Sequence, residues 1–185
     1  YYLNGLLVEI TSDLLRMVAT DGHRLSLAEA PIKSQMNGQV ILPRKGVTEI
    51  AGFLENSDDN VEVALSANHV RVAMEGIVFT KKLIDGRFPD YNRVIPSAQS
   101  KKILVQREMF RETLNRAAIL SNEKYRGVRL TLVNKGLKIS AHNPEQEEAQ
   151  EEISADYSGE VMEIGFNVSY MLEAIGALQS QQVVI

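Results

Sequence analysis

The chain has 185 residues, 44% of them hydrophobic and 24% charged, with a formal net charge of −4. That balance fits one large or two small globular domains and excludes a disordered chain or a globally basic one. Cysteine is absent, which rules out a disulfide framework and thiolate chemistry and leads us to expect a reducing, cytoplasmic setting. No apolar run approaches the ~18 residues that cross a bilayer, and no charged-then-apolar leader opens the sequence. Neither a membrane partner nor export is expected.

The chain opens on YYLNG (1–5), and GLLVEI (5–10) reads as the first strand. Adjacent side chains on a strand face opposite ways, so at most one of Tyr1 and Tyr2 faces a core; an interface or a base-stacking role is equally open. Two apolar runs, at 14–19 and 25–28, flank Thr20-Asp21-Gly22-His23-Arg24. Asp-Gly between such runs signals a hairpin, with Gly22 taking a positive φ and Asp21 capping its own turn. Thr20, Asp21 and His23 lie too close together for a triad, which draws its groups from separate elements. A hydrolase or transferase working through Asp21 and His23 is the alternative to a binding role for this tip.

VILPRKGVTEIAGFL (40–54) predicts a short strand and then an amphipathic helix, with Val47, Ile50, Ala51 and Leu54 on one stripe. Arg44 and Lys45 stand at the helix start. Cations there oppose the helix dipole, so they suit a partner outside the helix, such as a phosphate backbone. Strands are expected at 61–65, 70–74 and 77–83. Residues 85–102, DGRFPDYNRVIPSAQSKK, hold two prolines and few apolar side chains and read as an extended linker, with a boundary at Pro96 or Ser97.

A second helix is expected over 106–120, with Phe110, Thr113, Leu114 and Ala117 on its apolar stripe. Arg107 and Arg111 form a short basic stripe beside it, which Glu108 and Glu112 are placed to pair. EQEEAQEE (145–152) reads as a solvated acidic face. The end of the chain predicts a strand and a helix carrying Val168, Met171, Leu172 and Ile175. No zinc, calcium or phosphate-loop motif is present, and the three histidines are not paired, so no metal or cofactor is expected.

The two halves repeat. GLLVEI from 5 matches GVRLTL from 127, and LRMVA from 15 matches LKISA from 137, both at an offset of 122. EIAGFL from 49 matches EAIGAL from 173 at 124. This predicts two homologous α+β units, residues 1–96 and 97–185, each with antiparallel sheets and two helices. Both are expected to be incomplete: the counterpart of the 106–120 helix would precede Tyr1, and those of the strands at 61–83 would follow Ile185.

YYLNG (1–5), VATDGHRL (18–25), PRKGV (43–47), DGRFPDY (85–91), RAAILSNEKYRGVRL (116–130), NPEQEEA (143–149) and MEIGFNVSY (162–170) together resemble the bacterial sliding clamp, the β subunit of DNA polymerase III. They fall in the family's order and span nearly the whole chain. The resemblance implies three similar domains per subunit and a head-to-tail homodimer ring around duplex DNA. This chain would supply most of the middle domain and the first two-thirds of the last.

The implied role is non-catalytic. The clamp is the processivity factor of a DNA-directed DNA polymerase holoenzyme, and it holds polymerase subunits, the clamp loader and repair proteins by short apolar peptides. The matching groove positions are Leu3, Thr20, Gly22, His23, Arg24, Leu25, Pro89, Arg93 and Val94. In the family this groove lies between the middle and last domains, and its remaining wall comes from a C-terminal end that this sequence does not include. Tyr1, Tyr2, Arg44 and Lys45 match positions near DNA, which is bound without sequence preference. Ile119 and Leu120 match the dimer contact, to which the glutamate run adds an acidic component. Asn92 departs from the family, where a basic residue is frequent.

Overall fold

The computed structural model describes residues 3–55, 59–74, 76–96 and 101–185. Tyr1 and Tyr2 lie outside them. The chain divides into two units, Tyr1–Ile95 and Pro96–Ile185.

In the first unit, β1 (Gly5–Ile10), β2 (Leu14–Thr20), β3 (Leu25–Pro31) and β4 (Gly38–Pro43) form an antiparallel sheet in the order β3-β2-β1-β4. Helix α1 (Arg44–Leu54) follows directly, and then a three-stranded sheet of β5 (Glu62–Leu65), β6 (His69–Met74) and β7 (Ile77–Lys82). In the second unit, β8 (Leu104–Gln106) leads into α2 (Arg107–Ile119). Strands β9 (Gly127–Val133), β10 (Gly136–His142), β11 (Glu148–Ser154) and β12 (Met162–Asn167) pair in the order β11-β10-β9-β12. Helix α3 (Val168–Ala177) and β13 (Gln182–Val184) complete it, with β13 pairing β8. The fold is α+β with antiparallel sheets.

The registers of the two larger sheets coincide. Leu7 lies opposite Val18 and Ile41; Arg129, 122 residues later, lies opposite Ser140 and Gly165. The offset grows to 124 by β12 because of two one-residue insertions. One is in the turn after β10, where the closing pair is His142–Glu148 against Thr20–Leu25 in the first unit.

Strand alternation sends successive side chains to opposite faces of each sheet. In the first unit Val8, Ile10 and Leu42 face one way and pack with Val70, Val72 and Leu83, joined by Val47 and Ile50 of α1. Leu7, Val18 and Ile41 face the other way and pack with Phe88 and Tyr91. In the second unit Val128, Leu130, Leu132, Leu137 and Ile139 pack against Phe110, Leu114 and Ala117 of α2 and Val168 and Ile175 of α3.

Several expectations need correction. Residues 85–95 are not linker: Phe88 and Tyr91 are buried in the first unit, and Tyr91–Arg93 forms a 3-10 turn. The physical reason is the apolar outer face of the first sheet, which requires a cover. On α1 only half of the apolar stripe is used, since Ala51 and Leu54 are exposed. The helix content agrees with expectation: α3 packs beside α2 in the second unit, and among the described residues of the first unit α1 is the only α-helix. The acidic run is only partly a solvated face: Glu151 is gripped by Arg116, and Glu147 Oε2 accepts from Asn143 Nδ2 at 2.6 Å.

Candidate functional site

The β2–β3 hairpin forms one edge of the candidate site, and its tip is held by its own side chains. Thr20 Oγ1 donates to the Arg24 carbonyl at 2.7 Å and accepts the Gly22 N–H at 3.1 Å. Asp21 Oδ1 accepts the N–H groups of His23 and Arg24, each at 3.0 Å, while Oδ2 accepts Arg24 Nε at 3.1 Å. Gly22 takes φ +87°, a region that side-chain-bearing residues disfavour. The two backbone bonds, with the Arg24 contact added, hold the Asp21 carboxyl below its usual range. Its donors are the His23 backbone and Arg24, so what the structure shows for Asp21 is turn capping.

Behind the tip, Leu25 is half-buried against Leu7, Val18, Ile41, Phe88 and Tyr91. The register places Thr20 and Leu25 on the same sheet face as Leu7, Val18 and Ile41. Pro89 and Arg93 come to this face from the segment after β7. They line a cavity of about 690 Å³ together with Leu7, Glu9, Gln39, Phe88 and Tyr91. Leu3 and Val94, 40% and 68% exposed, are bare apolar surface in the same unit.

Of the nine groove positions, Pro89 and Arg93 share the cavity, and Leu25 shares their supporting cluster. Thr20, Gly22, His23 and Arg24 form the hairpin tip, and they, Leu3 and Val94 do not line the cavity.

A polar chain ties the segment to the sheet. The Tyr91 hydroxyl donates to Glu9 Oε2 at 2.5 Å and accepts Arg16 Nη1 at 3.0 Å. Arg16 Nε reaches Glu29 Oε1 at 2.6 Å. Burial raises the Tyr91 pKa first and the Glu9 bond adds to it, so the hydroxyl keeps its proton. The bond to Tyr91, then that to Glu29, raises the Arg16 pKa.

Leu7, Glu9, Arg16, Phe88 and Tyr91 were missed from the sequence. A signal existed in the repeat: Leu7, Val18 and Ile41 stand where the second unit has Arg129, Ser140 and Gly165. A sheet that is apolar on its outer face in only one of two copies implies a cover in that copy alone.

The remaining predicted positions lie elsewhere. Arg44 and Lys45 are exposed in the first turn of α1, which holds no acidic residue. Ile119 ends α2 with 78% of its surface exposed, and Leu120 is the C-cap. Arg107 and Arg111 both pair with Glu108, at 2.7 and 3.4 Å, so the basic stripe is partly neutralised. Asn92 Nδ2 approaches Asp90 Oδ1 at 3.5 Å. Among the described residues, no cluster of His, Cys, Asp or Glu is placed to hold a metal, and no helix is long and apolar enough to cross a membrane.

Two copies of one sheet-and-helix unit, the first with a cavity of mixed polar and apolar lining on its flank, form a tandem of clamp-type domains. The family profile described as DNA polymerase III beta subunit, central domain, matches residues 1–90, and the profile for its C-terminal domain matches residues 92–185. The chain belongs to the DNA polymerase III beta subunit family, the sliding clamps. It is 51% identical over 185 residues to the Beta sliding clamp of Pseudomonas putida and 49% identical over 184 residues to that of Escherichia coli K12. Each alignment covers 99% of this chain and 50% of the relative. The crystal structure of the DNA polymerase III subunit beta from Pseudomonas aeruginosa superposes with a TM-score of 0.95 at 51% identity, covering 100% of this chain and 51% of that one. A sliding clamp from the same organism bound to griselimycin gives 0.96 at 50% identity, covering 100% and 50%. The chain thus spans about half the length of the curated relatives it matches.

Proposed function

We propose that this chain is the central-domain and C-terminal-domain portion of a cytoplasmic DNA sliding clamp, with the domains at residues 1–96 and 97–185. The whole protein encircles duplex DNA as a homodimer ring and tethers the replicative polymerase, the clamp loader and repair proteins. Tethering turns repeated bimolecular rebinding into an effectively intramolecular event, so processivity needs no bond-breaking and the protein is not itself an enzyme. The membership of the family carries this reading.

Partner peptides lie on the first unit. Leu25, Pro89, Leu3 and Val94 offer apolar surface, and Thr20, Gly22, His23, Arg24 and Arg93 form its polar margin. The half-buried state of Leu25 over a packed base of Phe88 and Tyr91 supports it. DNA passes Tyr1, Tyr2, Arg44 and Lys45 without base readout, which permits sliding. Exposed Ile119, with Leu120, meets the partner subunit. The engagement of Asp21 in its own turn leaves the hydrolase or transferase alternative without structural support.

The test is a methyl NMR titration of the full-length protein with griselimycin, the ligand of the Pseudomonas aeruginosa relative. Methyl shifts at Leu3, Leu25 and Val94, with Val70 and Val72 unmoved, are expected. Saturable binding that leaves those three methyls in place would sink the groove assignment.

A further inference from the structure

The segment that carries Pro89, Arg93 and Val94 pairs with no strand after Ile84, whose N–H donates to the Ile41 carbonyl at 2.9 Å. Among the described residues it is held to the sheet by the buried rings of Phe88 and Tyr91 and by the Tyr91 hydroxyl. That hydroxyl sits between Glu9 of β1 and Arg16 of β2, and Arg16 continues to Glu29 of β3. Registry makes this a straight row, since Glu9 lies opposite Arg16 and Arg16 opposite Glu29. The hairpin half of the groove is built on β2 and β3, through Thr20 and Leu25. The other half rides on the segment. One guanidinium and one phenol therefore join both halves.

We infer that Tyr91 and Arg16 are positioning residues of the partner-peptide groove, fixing the Pro89–Val94 wall against the β2–β3 hairpin through the Glu9–Tyr91–Arg16–Glu29 row. This rests on the groove reading above. Ring burial alone fixes depth but leaves the segment able to slide along the apolar face, because dispersion contacts are non-directional. The hydroxyl, with one donor and two acceptor positions, sets its place along the strands. Each acts by holding the wall in place.

The experiment compares griselimycin affinity by calorimetry for the full-length wild-type protein and its Tyr91→Phe and Glu9→Gln variants, with the melting temperature of each. Tyr91→Phe keeps the ring and deletes the hydroxyl with both of its bonds, and binding about fivefold weaker is expected, because the ligand must then order the wall as it binds. Val94 methyl resonances of the free variant should shift while those of Val70 and Val72 stay. Glu9→Gln keeps an acceptor for the hydroxyl but gives up the carboxylate's ion pair with Arg16 at 3.7 Å, and its affinity should fall between those of wild type and Tyr91→Phe. If wild type binds and Tyr91→Phe binds equally well, the positioning role is wrong and the groove stands. If affinity falls in both variants in step with melting temperature, the row is only structural and the inference fails. If wild type does not shift Leu3, Leu25 and Val94, the groove reading fails instead.

Discussion

Arg116 on α2 grips both carboxylate oxygens of Glu151 on β11, with Nε to Oε1 at 2.7 Å and Nη2 to Oε2 at 2.5 Å. Arg116 Nη2 also reaches Thr113 Oγ1 at 3.1 Å, inside the helix stripe. The pair pins the sheet's edge strand, and with it the acidic run, to the helix that ends at Ile119. Fork-to-fork geometry gives it direction as well as attraction.

A pH dependence follows. The Arg116 bonds hold the Glu151 carboxyl below its ordinary 4.5. A group with a depressed folded-state pKa stabilises above the unfolded value and loses that contribution as pH falls through the folded one. Glu151→Gln should therefore be less stable than wild type at neutral pH, with the gap closing below about pH 4.5. Urea unfolding followed at pH 7 and pH 3 checks this, and a gap that is constant across both values contradicts it.

Gly5 and Gly127 are equivalent by the repeat but not by their surroundings. A Cβ on Gly5 would lie 2.7 Å from the Leu42 carbonyl oxygen and 2.8 Å from Ile41 Cγ2, whereas one on Gly127 meets nothing within 4 Å. Gly5→Ala should destabilise by about 1–3 kcal/mol, the usual range for overpacking. Gly127→Ala should be close to neutral. Denaturant midpoints of the two variants decide it.

Phe88 is 8% exposed and Val94 68%. Phe88→Ala should cost about 3–5 kcal/mol, through reduced burial and a residual cavity. Val94→Ala should leave stability within about 0.5 kcal/mol but weaken griselimycin binding. Thermal unfolding and calorimetry on the same samples separate the two effects.

Asn167 Oδ1 accepts the N–H groups of Ser169 and Tyr170, at 2.9 and 3.3 Å, and so caps α3. Pro43 at the matching start of α1 makes no side-chain cap. Asn167→Ala should lower stability by about 1 kcal/mol, read from the urea midpoint of the second unit.

Arg44 and Lys45 face solvent at an uncapped helix start. If the proposed DNA path is right, replacing both by Ala should flatten the salt dependence of duplex binding by the full-length protein, by roughly 0.9 in log–log slope for each phosphate that the variant leaves unneutralised. An unchanged slope places the DNA path elsewhere.

Much of this molecule was legible in the sequence because it is local or repeated. Helix α2 and its buried Phe110, Thr113, Leu114 and Ala117 follow from 3.6-residue periodicity. The Asp21–Gly22 turn follows from the chemistry of two adjacent residues. The coincidence of register between the two larger sheets follows from the shared offset, because equivalent residues then occupy equivalent strand positions.

Tertiary structure alone decided the rest. Residues 85–95 carry neither a helical nor a strand period, and only the apolar outer face of the β1–β4 sheet makes Phe88 and Tyr91 core residues. The Tyr91 bonds to Arg16 and Glu9 span 75 and 82 residues, and no local pattern encodes such a pairing. Ala51 and Leu54 carry the correct spacing for burial and stay exposed, because periodicity specifies a face while burial needs a neighbour to cover it.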